Sequence, residues 1–145
     1  MKPDFPLITI TEGQWLDIIE TEPTKASISS INALSKTNDL LIDRNLNSWK
    51  MKLAPKDKIA PTTFFFSKVF PILVPVKITW IKSDKYLLDD VKKEIKYCIE
   101  KDDDILTQFI EPKPLINKIN YCNDFESILK VLNDWIFKTE HNKEL

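Results

Sequence analysis

Glycine is almost absent, since Gly13 is the only one in the 145-residue chain. A phosphate-binding P-loop needs two glycines, and a dinucleotide fingerprint needs two or three, because only glycine lets backbone N–H groups approach a phosphate closely. A nucleophile elbow of the Gly-x-Ser-x-Gly type also needs two. The sequence therefore excludes all three motifs.

Histidine and cysteine are equally scarce. The one histidine, His141, lies five residues from the end of the chain, and the two cysteines are Cys98 and Cys122. This set argues against a Ser/His/Asp triad, a Cys/His pair and a zinc site, which needs three or four Cys, His or acidic ligands. No apolar leader segment is recognisable at the start, so we expect a cytoplasmic protein with free thiols. Cys98 is expected to be a small buried apolar residue.

Charge is balanced overall, but arginine is nearly missing. The chain has 21 basic and 22 acidic residues, and 20 of the 21 cations are lysine. A net charge of −1 and a single arginine, Arg44, argue against nucleic-acid binding. A composition that is 43% hydrophobic and 30% charged is typical of a globular protein, and the length fits one domain over residues 1–145.

Alternating residues predict most of the strands. Residues 7–10 and 40–42 are short apolar runs, and residues 49–53 alternate tryptophan, methionine and leucine with two lysines. Residues 76–80 repeat that alternation, with the tryptophans facing away from the lysines. Residues 64–70 contain five apolar residues, Phe64, Phe65, Phe66, Val69 and Phe70, and predict a strand covered on both faces. The apolar stretch that contains these last two strands is interrupted by lysine and proline, so we expect no membrane segment.

Periodicity and capping signals predict the helices. A capping-box spacing predicts a short helix over residues 12–20, and residues 24–38 are expected to form a loop with at most an irregular helical turn. Residues 85–101 carry an amphipathic stripe, with Ser83 or Asp84 as cap. Residues 115–121 are expected to be an edge strand, and Asn123 and Glu126 to cap the last helix.

These elements predict an α+β fold. A small antiparallel sheet of about four to five strands is expected to pack against two amphipathic helices.

Two features are candidate partner-binding sites. The first is an acidic turn that could steer a basic partner; it comprises Glu100, Asp102, Asp103 and Asp104. The alternative is a solvated turn. The second is a pair of apolar residues beside the core stripe of the last helix, Val131 and Phe137, which could instead contact the preceding loop.

Two chemical alternatives remain open. Glu94 and Lys96, with Asp84 or Asp90 upstream, imitate the acidic motif of Mg²⁺-dependent nucleases. Glu94 and Lys96 would lie about 200° apart on a helix, which favours a solvated surface instead. Lysines on the sheet could bind nucleic acid, although edge protection is their more common role. We predict no metal and no cofactor.

Two segments resemble small immunity proteins of bacterial contact-dependent and polymorphic toxin systems. Residues 46–53, which surround Trp49, resemble the segment that precedes the sheet in some of them, and residues 119–136 resemble their closing unit. The resemblance implies a non-enzymatic cytoplasmic inhibitor that binds one cognate toxin domain, in some cases a nuclease. A structural adaptor subunit is the alternative in the same class of protein-binding chains.

Overall fold

Strands and helices are mixed along the chain. The computed structural model describes residues 1–34, 39–102 and 105–137. The strands are β1 (Leu7–Thr11), β2 (Trp15–Ile19), β3 (Lys25–Ser27), β4 (Asp39–Ile42), β5 (Asn47–Pro55) and β6 (Leu73–Lys85). The helices are α1 (Ile28–Leu34), α2 (Pro61–Phe66), α3 (Leu88–Glu100), α4 (Pro112–Asn120) and α5 (Phe125–Val131), and a π-helical segment (Leu132–Phe137) continues α5.

The α+β class and the antiparallel sheet are confirmed, but the sheet is larger than predicted. Its six strands lie in the order β2-β1-β4-β5-β6-β3, and every pair is antiparallel. The described part of the chain contains five helices rather than two. The predicted strands at residues 7–10, 40–42, 49–53 and 76–80 are all present.

The sheet curls because a short link joins its two edges. Five neighbouring strand spacings of about 4.8 Å would separate β2 from β3 by about 24 Å in a flat sheet. Residues 20–24 connect these strands and reach at most about 20 Å. The link also contacts β6, where the Trp80 side-chain N–H donates to Glu22 at 2.8 Å. The curl therefore follows from topology.

The predicted helix over residues 12–20 is wrong, because the chain turns there and returns as β2. Glu12 and Gly13 have φ values of 56° and 71°, and the Gln14 amide donates to the Thr11 carbonyl at 3.2 Å. This tight turn brings Trp15 opposite Thr11 and sets the register of β1 and β2. The β-branched residues that follow suit a strand better than a helix.

The main core lies between one face of the sheet and helices α3, α4 and α5. The predicted stripes of α3 and of the last helix face this core, except that Leu87, predicted as part of the α3 stripe, precedes the helix and is 72% exposed. The buried helix residues are Val91, Ile95, Cys98, Ile99, Leu115, Ile119, Phe125, Ile128, Leu129, Leu132 and Ile136. The sheet contributes Ile8, Ile10, Leu16 and Ile42. Cys98 is fully buried, as predicted.

A second, smaller core covers the opposite face of the sheet. Leu7, Leu41 and Trp49 form its centre, and Phe5 packs edge-on against Trp80 with ring centroids 5.8 Å apart. The alternation of Leu7 with Ile8 and of Leu41 with Ile42 thus places neighbouring residues in different cores.

One element type and one helix start predicted in the second half of the chain are corrected by the structure. Residues 115–121 lie mostly in α4 instead of an edge strand, because Pro112 occupies a first-turn position that suits a helix start. Strand β6 continues through Lys85, so α3 begins only at Leu88. The Leu87 amide donates a hydrogen bond to the Asp90 carboxylate at the start of this helix.

The last helix is capped one residue later than predicted. Asp124 and Ser127 form its capping box, in place of Asn123 and Glu126.

The predicted loop over residues 24–38 is replaced in part by β3 and α1. Strand β3 pairs with the start of β6, and the Ile28 amide donates to the Ile72 carbonyl at 3.2 Å. Residues 35–38 lie outside the described residues. The apolar residues here are too sparse for a periodic pattern, which explains why pattern alone did not identify these elements.

Candidate interaction surface

The long hairpin of β5 and β6 is the feature that positions the candidate surface. We call residues 50–85 the arm. Its cross-strand pairs put Lys52 opposite Thr79 and Met51 opposite Trp80, so one face carries lysine and the other carries apolar side chains. Trp49 is buried on the apolar side, as predicted. Lys50, Lys52 and Lys77 are exposed.

The end of the arm carries a cluster of exposed apolar side chains. We call this cluster the aromatic tip; its members are Phe64, Phe65, Phe66, Val69, Phe70 and Leu73, with exposed fractions between 45% and 71%. The predicted buried strand over residues 64–70 is therefore wrong in both type and burial. Residues 61–66 form α2, which begins with Pro61 at a first-turn position and contains no buried residue.

Local contacts shape the aromatic tip. The Ser67 amide donates to the Thr63 carbonyl at 3.0 Å, and the Ser67 hydroxyl donates to the Phe64 carbonyl at 2.6 Å. The Phe65 and Phe66 rings meet edge to face, with centroids 5.8 Å apart. No described strand or helix packs extensively on α2. The phenylalanines are thus presented outward from the body.

The exposed area of the aromatic tip is large for a surface on which no described strand or helix packs extensively. A fully exposed phenylalanine offers about 200 Å², so the four phenylalanines alone expose about 400 Å². The largest apolar patch on a typical monomer is about 300–600 Å² and is often functional. Val69 and Leu73 bring this cluster to the upper end of that range.

Charge is segregated between the arm and the rest of the chain. Eight lysines and two aspartates give residues 50–85 a formal charge of +6. The remaining residues hold 13 cations and 20 acidic groups, which give −7. The near-zero net charge of the chain conceals this division.

The acidic turn predicted as a partner site has a structural role in part. Glu100 is exposed at the end of α3. The Asp102 carboxylate accepts the Ile105, Leu106 and Thr107 amides at 3.2, 2.7 and 3.2 Å. Asp102 therefore fixes the backbone of residues 105–107. Asp103 and Asp104 lie outside the described residues.

Val131 and Phe137 do not form an exposed apolar face. Both are half-buried and pack against the main core. Their assignment to a partner-binding surface therefore stays a prediction, with only part of each side chain exposed.

Only two residues of the nuclease alternative, Glu94 and Asp84, line the same cleft, whereas Asp90 and Lys96 lie outside it. Asp90 caps α3, while the Lys96 ammonium donates to the Asn120 side chain at 2.8 Å. Glu94 is half-buried and lines a cleft of about 260 Å³, together with Asp39, Asp84 and Lys50. Within the described ranges, no three His, Cys, Asp or Glu side chains are grouped so as to hold a metal ion.

The two buried thiols are held in the protonated form. Burial raises the pKa of the Cys98 thiol to about 11, and the Glu94 charge adds to the effect. Burial also raises the pKa of Cys122. These shifts oppose thiolate formation and give neither cysteine the character of a nucleophile.

The aromatic tip was missed because three consecutive phenylalanines fit a buried strand as well as an exposed helix. The bracketing prolines, Pro61 and Pro71, are the signal that could have indicated a short helix.

No described helix is both long and apolar enough to cross a bilayer. No family model, curated protein or solved structure matches the chain.

Proposed function

We propose that this protein is a non-enzymatic, protein-binding inhibitor of the immunity type, which neutralises a cognate bacterial toxin in the cytoplasm. The observation that carries the proposal is the aromatic tip, whose phenylalanines are exposed at the end of a hairpin and contact no described element extensively. Aromatic residues dominate the binding energy of protein interfaces.

The size of the aromatic tip is suited to anchoring a complex. Burying about 400 Å² at about 25 cal/mol per Å² would contribute about 10 kcal/mol before the costs of association. These costs amount to about 4–15 kcal/mol. A standard interface buries about 800 Å² on each partner, so the tip supplies about half of one side. We expect the flanking parts of the arm to supply the remainder.

Two further observations support the proposal. Residues 46–53, which resemble an immunity-protein segment, lead directly into the arm. Cys98 and Cys122 are both free thiols, which is compatible with a reducing compartment.

The test is capture of the partner from native cells with the tagged chain. We expect one stoichiometric polypeptide that is toxic when expressed alone and harmless when co-expressed with this chain. The double variant Phe65→Ser, Phe70→Ser should lose both capture and protection. Tyr121→Ser, which alters an aromatic residue that is 83% exposed outside the arm, serves as the matched control.

Three results would contradict the proposal. A retained partner that stays active when bound would indicate the adaptor alternative. Full protection by the double variant would separate inhibition from the aromatic tip. Failure to retain any toxic polypeptide would remove the basis for an inhibitor.

A further inference from the structure

We infer that the partner of the arm is an acidic protein surface, in which an apolar cleft bordered by carboxylates receives the aromatic tip. The inference rests on the proposed function, and it reverses the charge that the acidic turn predicted for the partner. A basic partner was expected from the acidic turn of Glu100, Asp102, Asp103 and Asp104, whereas the arm requires a negatively charged one.

The lysines of the arm are free to pair with such a partner. The described ion pairs are Lys2–Glu22 and Arg44–Glu126, and neither includes a residue of the arm. Six lysines surround the tip or follow the open face of the hairpin, and all are exposed: Lys50, Lys52, Lys56, Lys58, Lys68 and Lys77. Opposite charges across an interface accelerate association and fix orientation.

The distribution of these lysines favours the walls of a protein cleft over a membrane surface. Lys50 is five residues from the distal end of β5, which places it about 17 Å along the strand. The Debye length is about 8 Å at physiological salt. If the tip entered a bilayer, lysines this far back would interact weakly with lipid headgroups. Cleft walls can follow the hairpin along this length.

A second copy that meets the chain tip to tip is a poor occupant of the aromatic tip. Such a contact would bring together the lysines beside each tip, Lys56, Lys58 and Lys68. Repulsion between them opposes the contact that burial of the phenylalanines would favour. The inference therefore commits to a different, acidic protein.

The deciding experiment measures association of the purified toxin identified by capture, at several salt concentrations. The double variant Lys52→Gln, Lys77→Gln should slow association about 3- to 10-fold at low salt, and the difference should shrink at high salt. Phe65→Ser should weaken affinity about 100-fold, mainly through faster dissociation. Lys93→Gln, an exposed lysine on α3, and Glu100→Gln should leave both rates unchanged.

A photoreactive phenylalanine analogue at position 65 identifies the neighbour of the tip directly in cells. Crosslinking to the toxin supports the inference. Crosslinking to lipid, or binding of the purified chain to vesicles of phosphatidylcholine and phosphatidylserine through Phe65, would overturn it in favour of a membrane. A self-adduct would overturn it in favour of a dimer.

Failure of the inference is distinguishable from failure of the proposed function. If the toxin is retained and neutralised but Glu100→Gln slows association while the lysine variant does not, the partner is basic and only the inference is overturned. If no toxic polypeptide is retained, both fall together.

Discussion

Replacing Asp43 is the most demanding test of the packing between the sheet and its second core. The side chain of Asp43 is 1% exposed, and its carboxylate accepts hydrogen bonds from four N–H groups. One oxygen accepts the Asn45 and Asn47 amides at 2.9 and 3.0 Å. The other accepts the Trp49 indole at 2.8 Å and the Asp4 amide at 3.4 Å. Asp43 thus ties the β4–β5 turn to the amino-terminal segment and to the buried tryptophan.

The expected loss of stability on replacing Asp43 depends on the buried N–H donors that would be left without an acceptor. Trp49 is 3% exposed, so its indole N–H has no access to water once the carboxylate is removed. A buried donor without a partner costs about 1–3 kcal/mol, and a hydrogen bond to a charged group contributes about 1.5–3 kcal/mol. We therefore expect Asp43→Ala to lower the free energy of unfolding by about 3–5 kcal/mol. Asp43→Asn retains one accepting oxygen and should cost about 2 kcal/mol.

Urea unfolding followed by far-ultraviolet circular dichroism measures this loss. Asp57→Asn, in the exposed turn that begins the tip of the arm, is the matched control and should change stability by less than about 0.5 kcal/mol. A double-mutant cycle with Trp49→Phe isolates the indole contact and should show coupling of about 1 kcal/mol or more. A loss below about 1 kcal/mol for Asp43→Ala, or the absence of coupling, would refute this reasoning.

Three smaller predictions test other parts of the fold. Because burial raises the pKa of Cys98 to about 11 from the ordinary 9.0, stability should be complete below about pH 9 and decline as the pH rises towards 11; Cys98→Val should lack that part of the decline. Gly13→Ala should cost about 1 kcal/mol in urea unfolding, because φ is 71° and the new Cβ meets no atom within 4 Å; an unchanged midpoint would contradict this. The Ser127 backbone N–H and hydroxyl lower the pKa of Asp124, so its contribution is present above its ordinary pKa and lost as the pH falls through the lowered value; Asp124→Ala should lower the melting temperature at pH 7, less so in acid.

Strands with one solvent-exposed face were predictable because apolar and polar side chains alternate along them. Trp49, Met51 and Leu53 alternate with lysines, and the same pattern recurs on β6, so pattern and burial agree. The stripes of α3 and α5 were predictable for the corresponding reason at helical spacing. In both cases one face of the element is buried and the other is exposed, and the positions of apolar and polar residues in the sequence indicate which face is which.

Elements whose formation depends on distant contacts could not be identified in this way. Trp15 and Ile18 lie at helical spacing, but pairing with β1 makes the segment a strand. Leu115 and Ile119 are compatible with either type, and the helix is favoured by Pro112 and by packing against α3. Short segments such as these have too few periodic residues for propensity to outweigh tertiary contacts.

The aromatic tip could not be predicted for a different reason. The type of a residue does not determine whether its side chain is exposed in the folded protein. Phe64, Phe65 and Phe66 would ordinarily indicate core, and only the structure shows that the described residues leave them exposed. The predicted apolar pair, Val131 and Phe137, shows the reverse, since residues off the helical stripe are still half-buried. Residue identity alone therefore does not indicate which apolar residues are exposed.

Exposed phenylalanine at the end of a hairpin creates a risk of aggregation, and the lysines of the arm also bear on that risk. A long apolar strand edge would template pairing with other chains, whereas a short helix presents no free edge. Like charges on neighbouring arms oppose contact between free molecules, and opposite charge on a partner removes the repulsion. The same residues can thus oppose tip-to-tip contact between unbound chains and direct the arm to an acidic surface. This dual effect accounts for an arm of charge +6 that carries an exposed apolar tip in a chain with almost no net charge.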